Sequence, residues 1–276
     1  MSWRASTALS RIQPGRCVMN QLSRHKHNEV ASYATQYSKN FVERWDELID
    51  WEKRKAGEGG FFEKLLRRHG VRSVIDVSTG SGFHAVQLKK AGFDVVATDG
   101  SSTMLTKARA NFRKHEVGIE SHYRDWHSLD PQELGQFDAV VCLGSSLCHV
   151  FEVHERLKVL AKFRALLKPG GLLVVDQRNF FAIRAGNYKA SGNYYYCGKN
   201  ASVSLGLVDE HMCEFIYSFD NAEQFRLQVY PLLPGQLKGE VLKSGFTQHE
   251  SYGDFKRDYD MMDCDFIIHT ALANGK

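Results

Sequence analysis

The residues best suited to chemistry stand where apolar runs stop. Residues 172–181 read LLVVDQRNFF, and four apolar residues give way at once to Asp176, Gln177, Arg178 and Asn179. An arginine at the edge of a core is costly unless something pairs with it. Its planar fork takes a carboxylate through two parallel hydrogen bonds, which orients a small molecule that offers few other handles. The alternative for Arg178 is a structural ion pair with Asp176 or with another acid.

A second group opens at Asp76-Val77-Ser78-Thr79-Gly80-Ser81-Gly82. A glycine-rich turn between strand and helix lets a ligand approach the backbone at a helix N-terminus. Asp99 follows about twenty residues later, where a carboxylate grips ribose hydroxyls. Asp125-Trp126 adds an acid and a flat ring on which an adenine can lie. Asp76 would repel a diphosphate but would partner a cationic, amine-bearing tail. Each residue alone fits a capping carboxylate or a core tryptophan; the ordered set describes S-adenosylmethionine. The same Asp76 speaks against a nicotinamide-dependent oxidoreductase, whose glycine turn this one otherwise resembles.

These residues need a scaffold that gathers strand ends. VRSVIDV, FDVVATD, FDAVVCLG and GLLVVDQ read as buried strands, alternating with the helical stretches GFHAVQLKKAG, SSTMLTKARANFRKH and HERLKVLAKFRALL. Continuous apolar strands between helices predict a parallel sheet covered on both faces. Ser101 or Ser102 is placed to cap the second of those helices. Residues 41–55 carry apolar residues at helical spacing, and FFEKLLRRHG adds a short helix that Gly70 closes. From 183 to 235 the alternation breaks: YYYCGK, HMCEFIYSFD and QFRLQVYPLL read as antiparallel strands. Then LKGEVLKSG returns to helix, and FTQHESYGD and DFIIHTALA to strand.

The chain has 276 residues, with 43% hydrophobic and 25% charged. No run approaches the roughly 18–20 apolar residues of a membrane helix. Residues 1–28 carry Arg4, Arg11, Arg16, Arg24 and Lys26 and no acid, so the remaining 31 Lys and Arg face 32 Asp and Glu. That balance lacks the basic excess of a nucleic-acid binder. The acid-free, arginine- and serine-containing start fits either a mitochondrial or plastid transit peptide or the arm of a cytoplasmic protein, with the folded domain beginning at about 37. The six cysteines form neither a CxxC nor a Cys/His cluster, so no metal site is expected.

The series DVSTGSG, ATDGSSTML, RDW, FDAVVCLGSS and LLKPGGLLVVDQRN resembles the class I methyltransferases. With NFVERWDELIDWE, YYYCG, VYPL, YGDF and DFIIH it resembles the glycine N-methyltransferase and glycine/sarcosine N-methyltransferase family, from about Tyr37 to the C-terminus. The resemblance implies an α/β, Rossmann-like, doubly wound and mostly parallel seven-stranded sheet, with an antiparallel β insertion after the fifth strand. It implies S-adenosylmethionine-dependent methylation of glycine to sarcosine, continuing or not to dimethylglycine, in a homo-oligomer. Osmolyte (betaine) synthesis and control of methyl-donor level are both open as roles. Tyr37, Trp45 and Arg54 are implied to line the methionine end. The Ser78–Gly82 turn, with Gly80 and Gly82, is implied to hold the nucleoside together with Asp99, Gly100, Met104, Asp125, Trp126 and Leu143. Arg178 is implied to bind the glycine carboxylate, and Tyr196, Tyr217 and Tyr230 to point into the substrate pocket. Ser145 stands where the family usually has an asparagine implied to touch substrate, which leaves glycine, sarcosine or both open. The position of Ser78 is commonly a small residue in the family, so serine there is a mild departure.

Such a transfer asks little of the protein. An amine lone pair attacks a sulfonium methyl in line, so no nucleophilic side chain or metal is needed, only proximity, orientation and exclusion of water. His149 is a base by position only, with a structural histidine as the alternative. A DNA amino-methylating enzyme lacks support, since CLGSS carries no Pro-Pro-aromatic motif; the remaining rivals are a methyltransferase of another small amine or amino acid and a non-catalytic S-adenosylmethionine-binding protein.

Overall fold

The computed structural model describes residues 33–188 and 198–274. The apolar runs become strands β1 (Ser73–Asp76), β2 (Asp94–Asp99), β3 (Glu120–Tyr123), β4 (Phe137–Cys142) and β5 (Leu167–Arg178). These five are parallel and lie in the order β3-β2-β1-β4-β5. Val74, Ile75, Ala97, Val140, Val141, Val174 and Val175 are fully buried, which is why these strands read as unbroken apolar runs rather than as alternating ones. Helices on the two faces supply the cover.

Three further strands, β6 (Ala201–Val208), β7 (Cys213–Phe219) and β8 (Gln224–Val229), form a separate antiparallel sheet in the order β6-β7-β8. β7 shows strict alternation, with Cys213, Phe215, Tyr217 and Phe219 inward. Those side chains join the core cluster that holds Ile75, Val140 and Val175, so the inserted sheet packs onto the main one. β9 (Phe246–Gly253) and β10 (Phe266–Ala273) complete seven strands in the order β3-β2-β1-β4-β5-β10-β9. β10 runs antiparallel between β5 and β9, with Phe266 opposite Arg178.

Two expectations shift. The helical stretch 41–55 is three pieces, Lys39–Glu43, Trp45–Leu48 and Trp51–Glu58. Asp50 starts the last of them, its carboxylate accepting from Glu52 N at 3.1 Å and Lys53 N at 3.0 Å, so a capping residue inside the pattern overrides the apolar spacing. Among the described residues the first inserted strand is ASVSLGLV, which the sequence pattern does not mark as one; of YYYCGK, residues 194–197 lie outside the described residues. Its serines and glycine carry no continuous apolar signal.

At the first turn the fold requires glycine. Gly82 has φ +90°, and a Cβ there would lie 2.6 Å from Phe112 Cε1 in helix Ser102–Lys114. Left-handed strain of about 1–2 kcal/mol and overpacking of about 1–3 kcal/mol both oppose a side chain. Gly82→Ala is therefore expected to lower unfolding free energy by about 2–5 kcal/mol, read from the urea midpoint at constant m-value.

Candidate active site

The carboxyl ends of β1, β2, β4 and β5 converge on one cleft, where open α/β sheets bind ligands. At its first end the glycine turn and β2 are tied through one carboxylate. Asp99 Oδ2 accepts from Gly80 N and Oδ1 from Ser101 N, both at 2.8 Å. Burial raises the Asp99 carboxyl to about 6, the two amides opposing the shift and the charge of Asp76 adding to it. Ser101, not Ser102, caps the following helix by accepting from Met104 N at 3.2 Å. Ser78 Oγ donates to Leu143 O at 3.2 Å and accepts from Leu143 N at 3.1 Å, so the serine stitches the β1 turn to the end of β4. Trp126 is fixed by its indole N–H donating to Val77 O at 2.6 Å and by an edge-on contact with Phe163. Asp125 caps the short turn that carries Trp126, accepting from His127 N at 2.9 Å.

Next to this end lie Tyr37, Trp45 and Arg54. Arg54 Nε donates to Glu58 Oε1 at 2.9 Å, and His84 Nε2 meets the same oxygen at 2.9 Å. Burial alone would raise the Glu58 carboxyl, but His84 and Arg54 outweigh it and hold it below its usual range. Glu58 and His84 escape sequence reading because they come from separate helices. His149 is the other residue missed in part: its Nε2 lies 3.0 Å from Tyr37 Oη, and burial pushes its pKa down to about 4. It is a neutral ring at physiological pH.

The opposite end is built on Arg178, 6% exposed, its guanidinium 4.6 Å from the Phe215 ring and 5.3 Å from that of Phe266. Its backbone N–H donates to Ser145 Oγ at 2.7 Å, and Ser145 N donates to Asp176 Oδ1 at 2.7 Å. Ser145 holds the left-handed conformation with φ 59°, which makes both bonds possible from one turn. The Asp176 carboxylate, raised by burial, serves the amides of Ser145 and Gly144, and the cations that act on it are Arg54 and His84.

One pocket is lined by Tyr37, Trp45, Arg54, Ser78, Gly80, Asp99, Gly100, Met104, Asp125, Trp126, Leu143, Ser145, Arg178 and Tyr217 together. Asp76 and Gly82 stand outside the lining: Asp76 is buried and accepts from Ser78 N at 3.2 Å, and Gly82 packs on Phe112. Tyr230 is turned away, its ring 4.5 Å from the Arg156 guanidinium and its hydroxyl 3.4 Å from Gln236 Nε2. It sits just past the end of β8, where strand alternation no longer fixes the face. Tyr196 lies outside the described residues.

Burial drives the pKa of Cys142 and Cys148 well up, which suppresses thiolate nucleophiles. Among the described residues no group of three or more His, Cys, Asp or Glu is placed to hold a metal ion, and no helix is long and apolar enough to cross a membrane.

Residues 74–171 match the family model described as a methyltransferase domain. Over 246 residues the chain is 40% identical to a glycine/sarcosine N-methyltransferase of Halorhodospira halochloris, covering 89% of this chain and 92% of that one. Human glycine N-methyltransferase is 32% identical over 75% of this chain and 81% of its own length. In fold the chain is similar to the CcbJ methyltransferase from Streptomyces caelestis, with a TM-score of 0.68 and 20% identity over 87% of this chain and 98% of that one. With a 40%-identical relative matched along nearly its whole length, this chain belongs to the glycine/sarcosine N-methyltransferase family of class I S-adenosylmethionine-dependent methyltransferases.

Proposed function

We propose that the chain methylates the amino nitrogen of glycine to sarcosine and sarcosine onward to dimethylglycine, with S-adenosylmethionine as co-substrate. The carrying observation is the buried Arg178, framed by Phe215 and Phe266 and lining the same pocket as Asp99. A carboxylate grip and a ribose grip in one cleft suit an amino acid acceptor beside a nucleoside donor. In this reading residues 37–276 are the catalytic domain, and the insertion at about 183–235 supplies the acceptor half. The family resemblance adds assembly of identical chains, which light scattering would report.

The residues present fit the co-substrate. Asp99 takes the ribose hydroxyls, while Trp126, Met104, Leu143 and Asp125 enclose the adenine. The turn from Ser78 through Gly80, braced by Asp76 and packed tightly at Gly82, lets the nucleoside approach the backbone, with Gly100 beside it. Tyr37, Trp45 and Arg54 take the methionine end. S-adenosylmethionine supplies an electrophilic methyl group on a sulfonium. The protein's own part is orientation: Arg178 holds the acceptor carboxylate in its fork, with Ser145 fixing the arginine backbone. Tyr217, and in this reading Tyr196, offer hydroxyls to the amine without adding charge, so the neutral, nucleophilic amine is retained. Tyr230 stays a supporting residue of Arg156.

Incubation with S-adenosylmethionine and, separately, glycine, sarcosine, dimethylglycine or buffer, followed by S-adenosylhomocysteine release, tests the reading. Turnover on glycine and sarcosine above the blank is expected; activity on neither would sink it.

A pH dependence follows from Asp99, which carries a proton below about 6 in the ligand-free protein. The raised pKa stabilises the fold at low pH, an effect complete below the unfolded value near 3.8 and lost as pH rises through 6. Ribose recognition needs the ionised form, so affinity moves the other way. Calorimetry is expected to show a constant cofactor Kd above pH 7 and a rise of about tenfold per unit below 6.

A further inference from the structure

β8 is an edge strand of the inserted sheet, so the backbone groups it turns away from β7 need other partners. At Gln228 one side chain takes both. Gln36 Oε1 accepts from Gln228 N at 2.5 Å, and Gln36 Nε2 donates to Gln228 O at 3.3 Å. The amide of Gln36 thus copies the acceptor and donor of a missing neighbour strand. Two residues on, Tyr230 N donates to Cys148 O at 2.8 Å.

The two docked residues immediately precede Tyr37 and His149. Those next residues meet each other in the pocket lining, Oη to Nε2 at 3.0 Å, although they are 112 positions apart in sequence. Two distant segments therefore dock side by side at the end of β8, one on Gln228 and one on Tyr230 just past the strand, and their following side chains are joined. The His149 ring depends on this contact, because its Nδ1 is buried with no hydrogen-bond partner among the described residues.

We propose that Gln36 is a positioning residue of the methyl-transfer site: its amide, docked on the β8 edge beside Cys148, sets the Tyr37 hydroxyl against His149. The proposal rests on the reading of this pocket as that site. The rest of the segment has its own anchors. Arg44 bonds Asn221 at 2.8 Å and Glu223 at 3.0 Å, and Phe41 stacks on Phe225 at 4.6 Å. Loss of the Gln36 amide therefore loosens Tyr37 without unseating residues 39–45.

The test is a double-mutant cycle on the full chain with Gln36→Ala, Tyr37→Phe and both. It reads S-adenosylhomocysteine release with glycine, cofactor Kd by calorimetry, and melting temperature. Gln36→Ala is expected to lower kcat/KM about tenfold, the scale of a small misplacement, with the melting temperature moved by less than about 2 °C. In the Tyr37→Phe background the same change is expected to cost less than about twofold, because residues acting through one contact are not additive. Gln36→Glu keeps the acceptor and loses the donor, and recovers part of the loss. A full tenfold loss in both backgrounds, or none in the first, overturns the proposal. If the unmodified protein binds cofactor yet turns over neither glycine nor sarcosine, the acceptor reading fails; the same cycle read as cofactor Kd then decides on Gln36.

Discussion

Arg178→Lys is expected to lower kcat/KM for glycine about 10³-fold, or ~4 kcal/mol of transition-state stabilisation, while cofactor Kd changes by less than about twofold. Lysine keeps the positive charge but presents a single point donor where a fork held two parallel bonds. It also loses the flat face that lies 4.6 Å from Phe215 and 5.3 Å from Phe266. The backbone N–H of residue 178 would still donate to Ser145 Oγ, so the turn that shapes the acceptor end survives. Initial rates of S-adenosylhomocysteine release at varied glycine, with calorimetry for the cofactor, separate the two halves of the site. A loss under tenfold would mean that the carboxylate is held elsewhere.

Asp99→Asn should strike the other half. Both carboxylate oxygens already accept a backbone N–H, one from Gly80 and one from Ser101, each at 2.8 Å. An amide presents one oxygen and one NH2, so whichever way it flips, a donor faces a donor. The replacement is close in size yet disruptive, and it also removes the charge that strengthens hydrogen bonds from ribose hydroxyls. Cofactor affinity is expected to fall about 100-fold, ~2.7 kcal/mol, with kcat at saturating cofactor within about threefold. A change under fivefold in calorimetric Kd would remove Asp99 from the ribose grip.

The readable parts of this chain are those whose pattern has a local cause. Val74-Ile75 and Val174-Val175 are buried on both faces of a parallel sheet, and that environment writes itself as an unbroken apolar run. Asp99 and the Gly80–Gly82 turn draw notice by residue type and spacing, and the structure joins them, Asp99 accepting from Gly80 N at 2.8 Å. Arg178 is legible through cost: a fork-shaped cation at a core edge asks for an explanation. What escapes is relational. Glu58 and His84 are ordinary residues in separate helices, and only packing shows that they share one oxygen beside Arg54. Tyr230 was expected in the pocket, but a residue one step beyond a strand has no alternation to set its direction. Ser145 reads as a shortened contact to substrate, whereas its hydroxyl is engaged by the backbone of Arg178. β6, rich in serine and half exposed, carries no apolar run to mark it.

The place of β10 has a consequence in time. It lies between β5 and β9, and its first residue, Phe266, pairs with Arg178, 88 positions earlier. At about 5–20 residues per second on the ribosome, roughly 4–18 s separate the synthesis of the arginine from that of the strand segment that fixes it. The proposed nucleoside grip, drawn from residues 76–143, can assemble during that interval; the proposed acceptor grip, which needs Phe266 beside Arg178, cannot. A chain stalled in that window would be able to meet its co-substrate before it could hold an amino acid.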